Sequence, residues 1–105
     1  MKIHVTDQQG NAHELEGIEG WRVMEIIRDY GLPIKAECGG ACACATCHVY
    51  IAPEWTQKLY PMQDEERDML DVAPNVTDYS RLSCQIIMTE KFDGLTLTLA
   101  PGSEP

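Results

Sequence analysis

Four of the five cysteines in this 105-residue chain lie within ten residues, Cys38-Gly39-Gly40-Ala41-Cys42-Ala43-Cys44-Ala45-Thr46-Cys47, and the fifth, Cys84, stands far downstream. An odd number of thiols argues against a pure disulfide framework. The N-terminus, MKIHVTDQQG, contains neither a secretory apolar core nor an Arg-rich transit segment. Cysteines without an export signal suggest a reducing compartment, where metal or redox chemistry is the expected use of clustered thiols. No apolar run approaches the roughly 20 residues needed to span a bilayer, so a soluble protein is expected.

Zinc, a redox pair and an iron–sulfur cluster are the three chemistries to weigh. Structural zinc is usually held by two C-x2-C knuckles, and only Cys44-Ala45-Thr46-Cys47 has that spacing. A thioredoxin-type pair would end a strand and open a helix, whereas this pair follows a Gly/Ala loop and precedes a strand. An iron–sulfur cluster explains more of the neighbourhood. Gly39, Gly40, Ala41, Ala43 and Ala45 have little side-chain bulk, so the backbone can wrap a cluster and aim amides at sulfur. The plant-type C-x4-C-x2-C spacing fails from Cys38, where it needs a cysteine at Ala43, and from Cys42, where it needs one at Tyr50. Cys84 precedes Gln85 rather than proline, against the bacterial run, and a Rieske pair of histidines is missing. The spacing that fits is Cys38-x5-Cys44-x2-Cys47 with Cys84 as fourth ligand, which leaves Cys42 over.

Periodicity sets these residues in a mixed α+β chain. Residues 2–6 alternate, with Ile3 and Val5 on one face, and the turn chemistry of Asp7 to Asn11 leads into a second strand around His13 to Glu16. Val23, Ile26, Ile27 and Tyr30 form the core stripe of a helix that Gly31 ends. His48 to Ala52 reads as a strand, Pro53 to Leu59 as a short helix, and Asp64 to Val72 as a second helix capped by Asp64. Gln85 to Met88 and Leu95 to Leu99 are expected as further strands. With 44% apolar residues and no internal linker, residues 1–105 are expected to form one domain.

Three motifs stand in order: Cys38-x5-Cys44-x2-Cys47-His48, then Asp64-Glu65-Glu66-Arg67-Asp68-Met69-Leu70-Asp71, then Ser80-Arg81-Leu82-Ser83-Cys84-Gln85. Together they resemble the 2Fe-2S ferredoxins of the adrenodoxin and putidaredoxin type, over nearly the whole chain. The resemblance implies a β-grasp fold and one 2Fe-2S cluster, with Cys38 and Cys44 on one iron and Cys47 and Cys84 on the other. It implies a one-electron carrier, not an enzyme. The electron would come from an NAD(P)H-dependent flavoprotein ferredoxin reductase and pass to a cytochrome P-450-class monooxygenase. Delivery to iron–sulfur cluster assembly is the rival, and a zinc-stabilised binding module the alternative of another class. A monomer of the bacterial cytoplasm is expected.

The chain carries 17 acidic against 8 basic residues, a formal charge of −9, which repels nucleic acid and anionic lipid and attracts basic protein patches. Asp64, Asp68 and Asp71 recur at i, i+4, i+7 and so share a helix face, while Met69, Val72 and Ala73 turn inward. The resemblance makes this helix a docking surface, with Asp68 and Asp71 as hot spots and Asp64, Glu65 and Glu66 giving steering. It also makes His48 a structural tie between the cluster loop and the acidic helix, and Arg81 an internal tie. Cys42 is expected as a non-ligand with a small buried side chain. The tail Gly102-Ser103-Glu104-Pro105 lacks the terminal tryptophan of putidaredoxin-like relatives.

Overall fold

The computed structural model describes residues 1–32, 47–71, 73 and 75–101. Its centre is a five-stranded mixed sheet of order β2-β1-β5-β3-β4. Strand β1 (Lys2–Thr6) pairs antiparallel with β2 (Ala12–Glu16) and parallel with β5 (Leu95–Leu99). Strand β3 (His48–Ile51) lies antiparallel to both β5 and β4 (Ser80–Leu82). With helices α1 (Val23–Asp29) and α2 (Asp64–Asp71), this is the β-grasp form of the α+β class.

The alternation read from the sequence gives the sheet its inner face. Ile3, Val5, Leu15, Val49, Leu95, Leu97 and Leu99 are all buried, and the helical stripe Val23, Ile26 and Ile27 packs with them. Each such side chain contributes about 1.5–3 kcal/mol over its exposed state. The first hairpin turns on Asp7, whose Oδ1 accepts the backbone N–H groups of Gln9 at 2.9 Å and Asn11 at 3.0 Å.

Helix α1 ends in a Schellman motif. The Gly31 N–H donates to the Arg28 carbonyl at 2.9 Å and the Leu32 N–H to the Ile27 carbonyl at 3.3 Å. Gly31 has φ +75°, the left-handed conformation this ending requires. Tyr30, expected in the core stripe, is instead the helix C-cap and half exposed. It lies one residue past the last helical position, and its hydroxyl accepts the Glu16 backbone N–H at 3.0 Å.

Three other expectations need correction. Pro53 to Leu59 is a 3-10 turn over Pro53–Trp55 followed by further turns, because Pro53 starts a tight turn that does not lengthen into an α-helix. The segment Gln85 to Met88 is not a sheet strand. Ser83–Gln85 forms a 3-10 turn, and Ile87 makes a single bridge with Arg22. Its backbone is taken up by the entry to α1, since Val23 N–H donates to the Ile86 carbonyl at 2.8 Å and Met88 N–H to the Trp21 carbonyl at 2.8 Å. Asp64 is the first helical residue rather than the cap, and the carbonyl of Gln63 before it accepts the Arg67 N–H at 3.1 Å. Among the described residues, no helix is long and apolar enough to cross a membrane.

Candidate metal centre and acidic face

The β3–β4 ladder brings two distant cysteines together. The strands are antiparallel with His48 opposite Leu82, so the start of β3 lies beside the end of β4. Cys47 immediately precedes β3, and Cys84 sits in the 3-10 turn that follows β4. Ser83 fixes their separation by donating its backbone N–H at 2.9 Å and its hydroxyl at 2.8 Å to the Cys47 carbonyl. Both cysteines are buried. The Gln85 side-chain N–H points at the Cys84 sulfur at 3.6 Å, a contact that favours a thiolate there. Two buried cysteines at the same end of the β3–β4 ladder are soft donors of the kind that iron–sulfur ligation uses. The other two expected ligands, Cys38 and Cys44, and the spare Cys42 lie outside the described residues.

His48 is buried, and its Nε2 is 2.7 Å from the Ser80 hydroxyl. Its ring meets Tyr50 edge-on, with centroids 5.2 Å apart. Burial lowers its pKa and so favours the neutral imidazole. Ser80 Oγ also accepts the Thr77 N–H at 2.8 Å, so His48 is tied to the segment that returns from α2. Its expected tie to the cysteine loop concerns residues outside those described.

The acidic helix divides into two faces. Asp64, Glu65, Asp68 and Asp71 are exposed. Glu66, expected to steer partners, is instead 1% exposed and turned inward. Arg81 holds it with two bonds, Nε to Oε2 at 2.7 Å and an Nη2 donor to Oε1 at 3.1 Å. The Leu82 backbone N–H adds a third, to Oε2 at 2.8 Å. Arg81 also donates to the Tyr60 carbonyl at 3.1 Å, so it is an internal tie. The inward stripe of α2 is thus Glu66 and Leu70, with Met69 and Ala73 half-buried. Sequence reasoning missed this role although a signal was present: position 66 falls on the same stripe as Met62, Met69, Leu70 and Ala73. An acid on an apolar stripe requires a buried cation.

The Glu66–Arg81 pair joins the exposed acids mechanically to the cysteine pair. Glu66 belongs to α2; Arg81 and Leu82 stand three and two residues before Cys84, and His48, the partner of Ser80, stands next to Cys47. The bidentate ion pair thus connects α2 to β4, the strand that leads into the turn holding Cys84.

Comparison with known proteins adds an independent line. The model of the 2Fe-2S iron–sulfur cluster binding domain matches residues 6–89. Ferredoxin CarAc of a Sphingomonas species is 50% identical over 91 residues, covering 86% of this chain and 84% of the relative. Rhodocoxin of Rhodococcus erythropolis is 45% identical over 93 residues, covering 86% of each. Among solved structures, a chain of the covalent putidaredoxin reductase–putidaredoxin complex superposes with a TM-score of 0.91 at 35% identity, covering 94% of this chain and 97% of that one.

Proposed function

Because the chain belongs to the 2Fe-2S ferredoxins of the adrenodoxin and putidaredoxin type, we propose that it carries single electrons from an NAD(P)H-dependent flavoprotein reductase to a cytochrome P-450-class monooxygenase. Its ligands on this reading are Cys38, Cys44, Cys47 and Cys84, and Cys42 is not one of them. When bound, the cluster supplies a one-electron couple. The chain does the rest: it holds thiolates, keeps water from Cys47 and Cys84, and offers an acidic face to basic partners. Catalysis belongs to those partners, and the chain works as a single-domain monomer of the bacterial cytoplasm.

The observation that carries the reading is the split of α2 into an exposed row of acids and a buried acid anchored beside Cys84. Exposed charges act over about a Debye length, roughly 8 Å at physiological salt, which suits brief, salt-sensitive complexes. Burial lowers the His48 pKa, which favours the neutral imidazole and opposes an extra positive charge next to Cys47. Support for a reductase partner comes from the likeness to putidaredoxin in its covalent complex with its reductase. The choice of acceptor rests on the segment CGGACACATCHVY, which resembles ferredoxins that serve haem monooxygenases.

The test is reconstitution with a reductase and a haem monooxygenase from the same genome. NAD(P)H-driven product formation that requires this protein is the expected result. Reduction by the reductase with no transfer to any haem monooxygenase, but transfer to the cluster-assembly machinery, would overturn the acceptor assignment. A colourless protein that purifies with zinc and without iron or sulfide would overturn the electron-carrier reading itself.

A further inference from the structure

The segment leading into α1 and the C-cap of that helix carry three large exposed side chains: Ile18 at 44%, Trp21 at 39% and Tyr30 at 50% exposure. They line one open groove of about 300 Å³ with Ile26 as its buried floor and the carboxylates of Glu16 and Asp29 on its rim. Two features make the groove a built one. The Tyr30 ring is fixed through its hydroxyl, which accepts the Glu16 backbone N–H at 3.0 Å. The Trp21 backbone is fixed on both sides, its N–H donating to Ile18 and its carbonyl accepting from Met88.

The charges at the rim are unequal. Glu16 is engaged by the Lys2 ammonium at 3.2 Å and the N-terminal ammonium at 3.4 Å. Glu25 is paired with Arg22 at 3.8 Å. Asp29 makes no ion pair among the described residues, and it stands beside the two aromatic rings. Aromatic faces with a neighbouring unpaired carboxylate attract a cation, and isoleucine walls suit the methylene stem that bears it. The acidity of the whole chain, −9, adds attraction for a basic protein and repulsion for an anionic one.

We propose that this groove is a second docking face, distinct from α2, which takes the stem and cationic head of a lysine or arginine from a basic partner protein. Its use in electron transfer rests on the carrier reading above; its recognition of a cation does not. The buried side of α1 packs on the Ser83–Gln85 turn, and the Val23 N–H holds the Ile86 carbonyl. A partner seated in the groove is therefore one helix away from Cys84, on a different side from the acids of α2.

The first test titrates the holoprotein with n-butylguanidinium, an arginine side-chain mimic, and with pentanoate, a similar chain of opposite charge. Saturable shifts of the Trp21 indole N–H and Tyr30 amide NMR signals are expected with the guanidinium only. Asp29→Asn and Trp21→Ala should each weaken that binding by about threefold, the size of an exposed cation–aromatic or rim-charge contact. No shift with guanidinium, or equal shifts with pentanoate, would overturn the proposal.

The second test measures the KM for this protein in its reduction by the reductase. Asp29→Asn and Trp21→Ala should raise it about threefold with the visible spectrum intact. A rise with Asp68→Asn and Asp71→Asn but none with the groove variants would sink the second face and leave the α2 reading standing. The reverse pattern would sink α2 docking and leave the groove.

Discussion

Ser83 closes the carbonyl of Cys47 from two directions, with its backbone N–H at 2.9 Å and its hydroxyl at 2.8 Å. This contact ties residue 47 to residue 83 and thereby sets Cys47 beside Cys84. Ser83→Ala should leave the backbone bond and remove the hydroxyl one, at about 1 kcal/mol. The expected outcome is a small fall in thermal midpoint and faster bleaching of visible absorbance in the presence of a chelator. Bleaching at the wild-type rate would show that Ser83 does not brace the cysteine pair.

Arg81 and Glu66 form the buried link between α2 and β4. Removing one partner of a buried pair leaves a charge uncompensated, so Arg81→Ala should cost about 3–5 kcal/mol. Glu66→Gln keeps the shape and some of the hydrogen bonds and should cost less. Chemical denaturation of the two variants checks the order. Equal and small losses would mean that the pair is not what holds α2 in place.

The first hairpin supplies a pH dependence. The contact from His13 Nε2 at 2.9 Å, followed by the Asn11 and Gln9 amides, lowers the Asp7 pKa from the usual 3.8 to about 2. A carboxylate with a depressed folded pKa stabilises the fold fully above the unfolded value and loses that contribution as pH falls through the folded value. The stability gap between wild type and Asp7→Asn should therefore be constant from neutrality down to pH of about 4 and shrink toward about 2. Thermal midpoints of both proteins across that range would reveal it. A gap that widens in acid would contradict the assignment.

Exposed and buried acids on α2 should separate kinetically. Asp68→Asn and Asp71→Asn should slow electron transfer at low salt by about two- to tenfold, with the difference fading as salt rises. Stability should hardly change, because both are surface positions. Stopped-flow reduction by the reductase over a salt series is the measurement. Salt-independent rates identical to wild type would remove the docking role.

Much of this arrangement is legible in the sequence. The alternation Ile3, Val5 and Leu95, Leu97, Leu99 marked two strands because the sheet buries one face of each. Strand β4 was not legible, since Ser80 and Arg81 are polar and lie inside only because His48 and Glu66 satisfy them. Ile86, Ile87 and Met88 alternate like a strand, but their backbone pairs with the entry to α1 rather than with the sheet. Glu66 looked like its exposed neighbours because a charge run hides which member faces in. Spacing gives an expected cysteine register, and of its members the structure describes Cys47 and Cys84, at one end of the β3–β4 ladder.

The central claim is that Cys38, Cys44, Cys47 and Cys84 hold the cluster and Cys42 does not. The most direct check is the iron and sulfide content and visible spectrum of purified Cys42→Ala, with Cys84→Ala prepared alongside. The account predicts a wild-type 2Fe-2S spectrum for Cys42→Ala and loss or severe distortion of it for Cys84→Ala. Loss of the cluster in Cys42→Ala, with Cys84→Ala retaining it, would contradict the account.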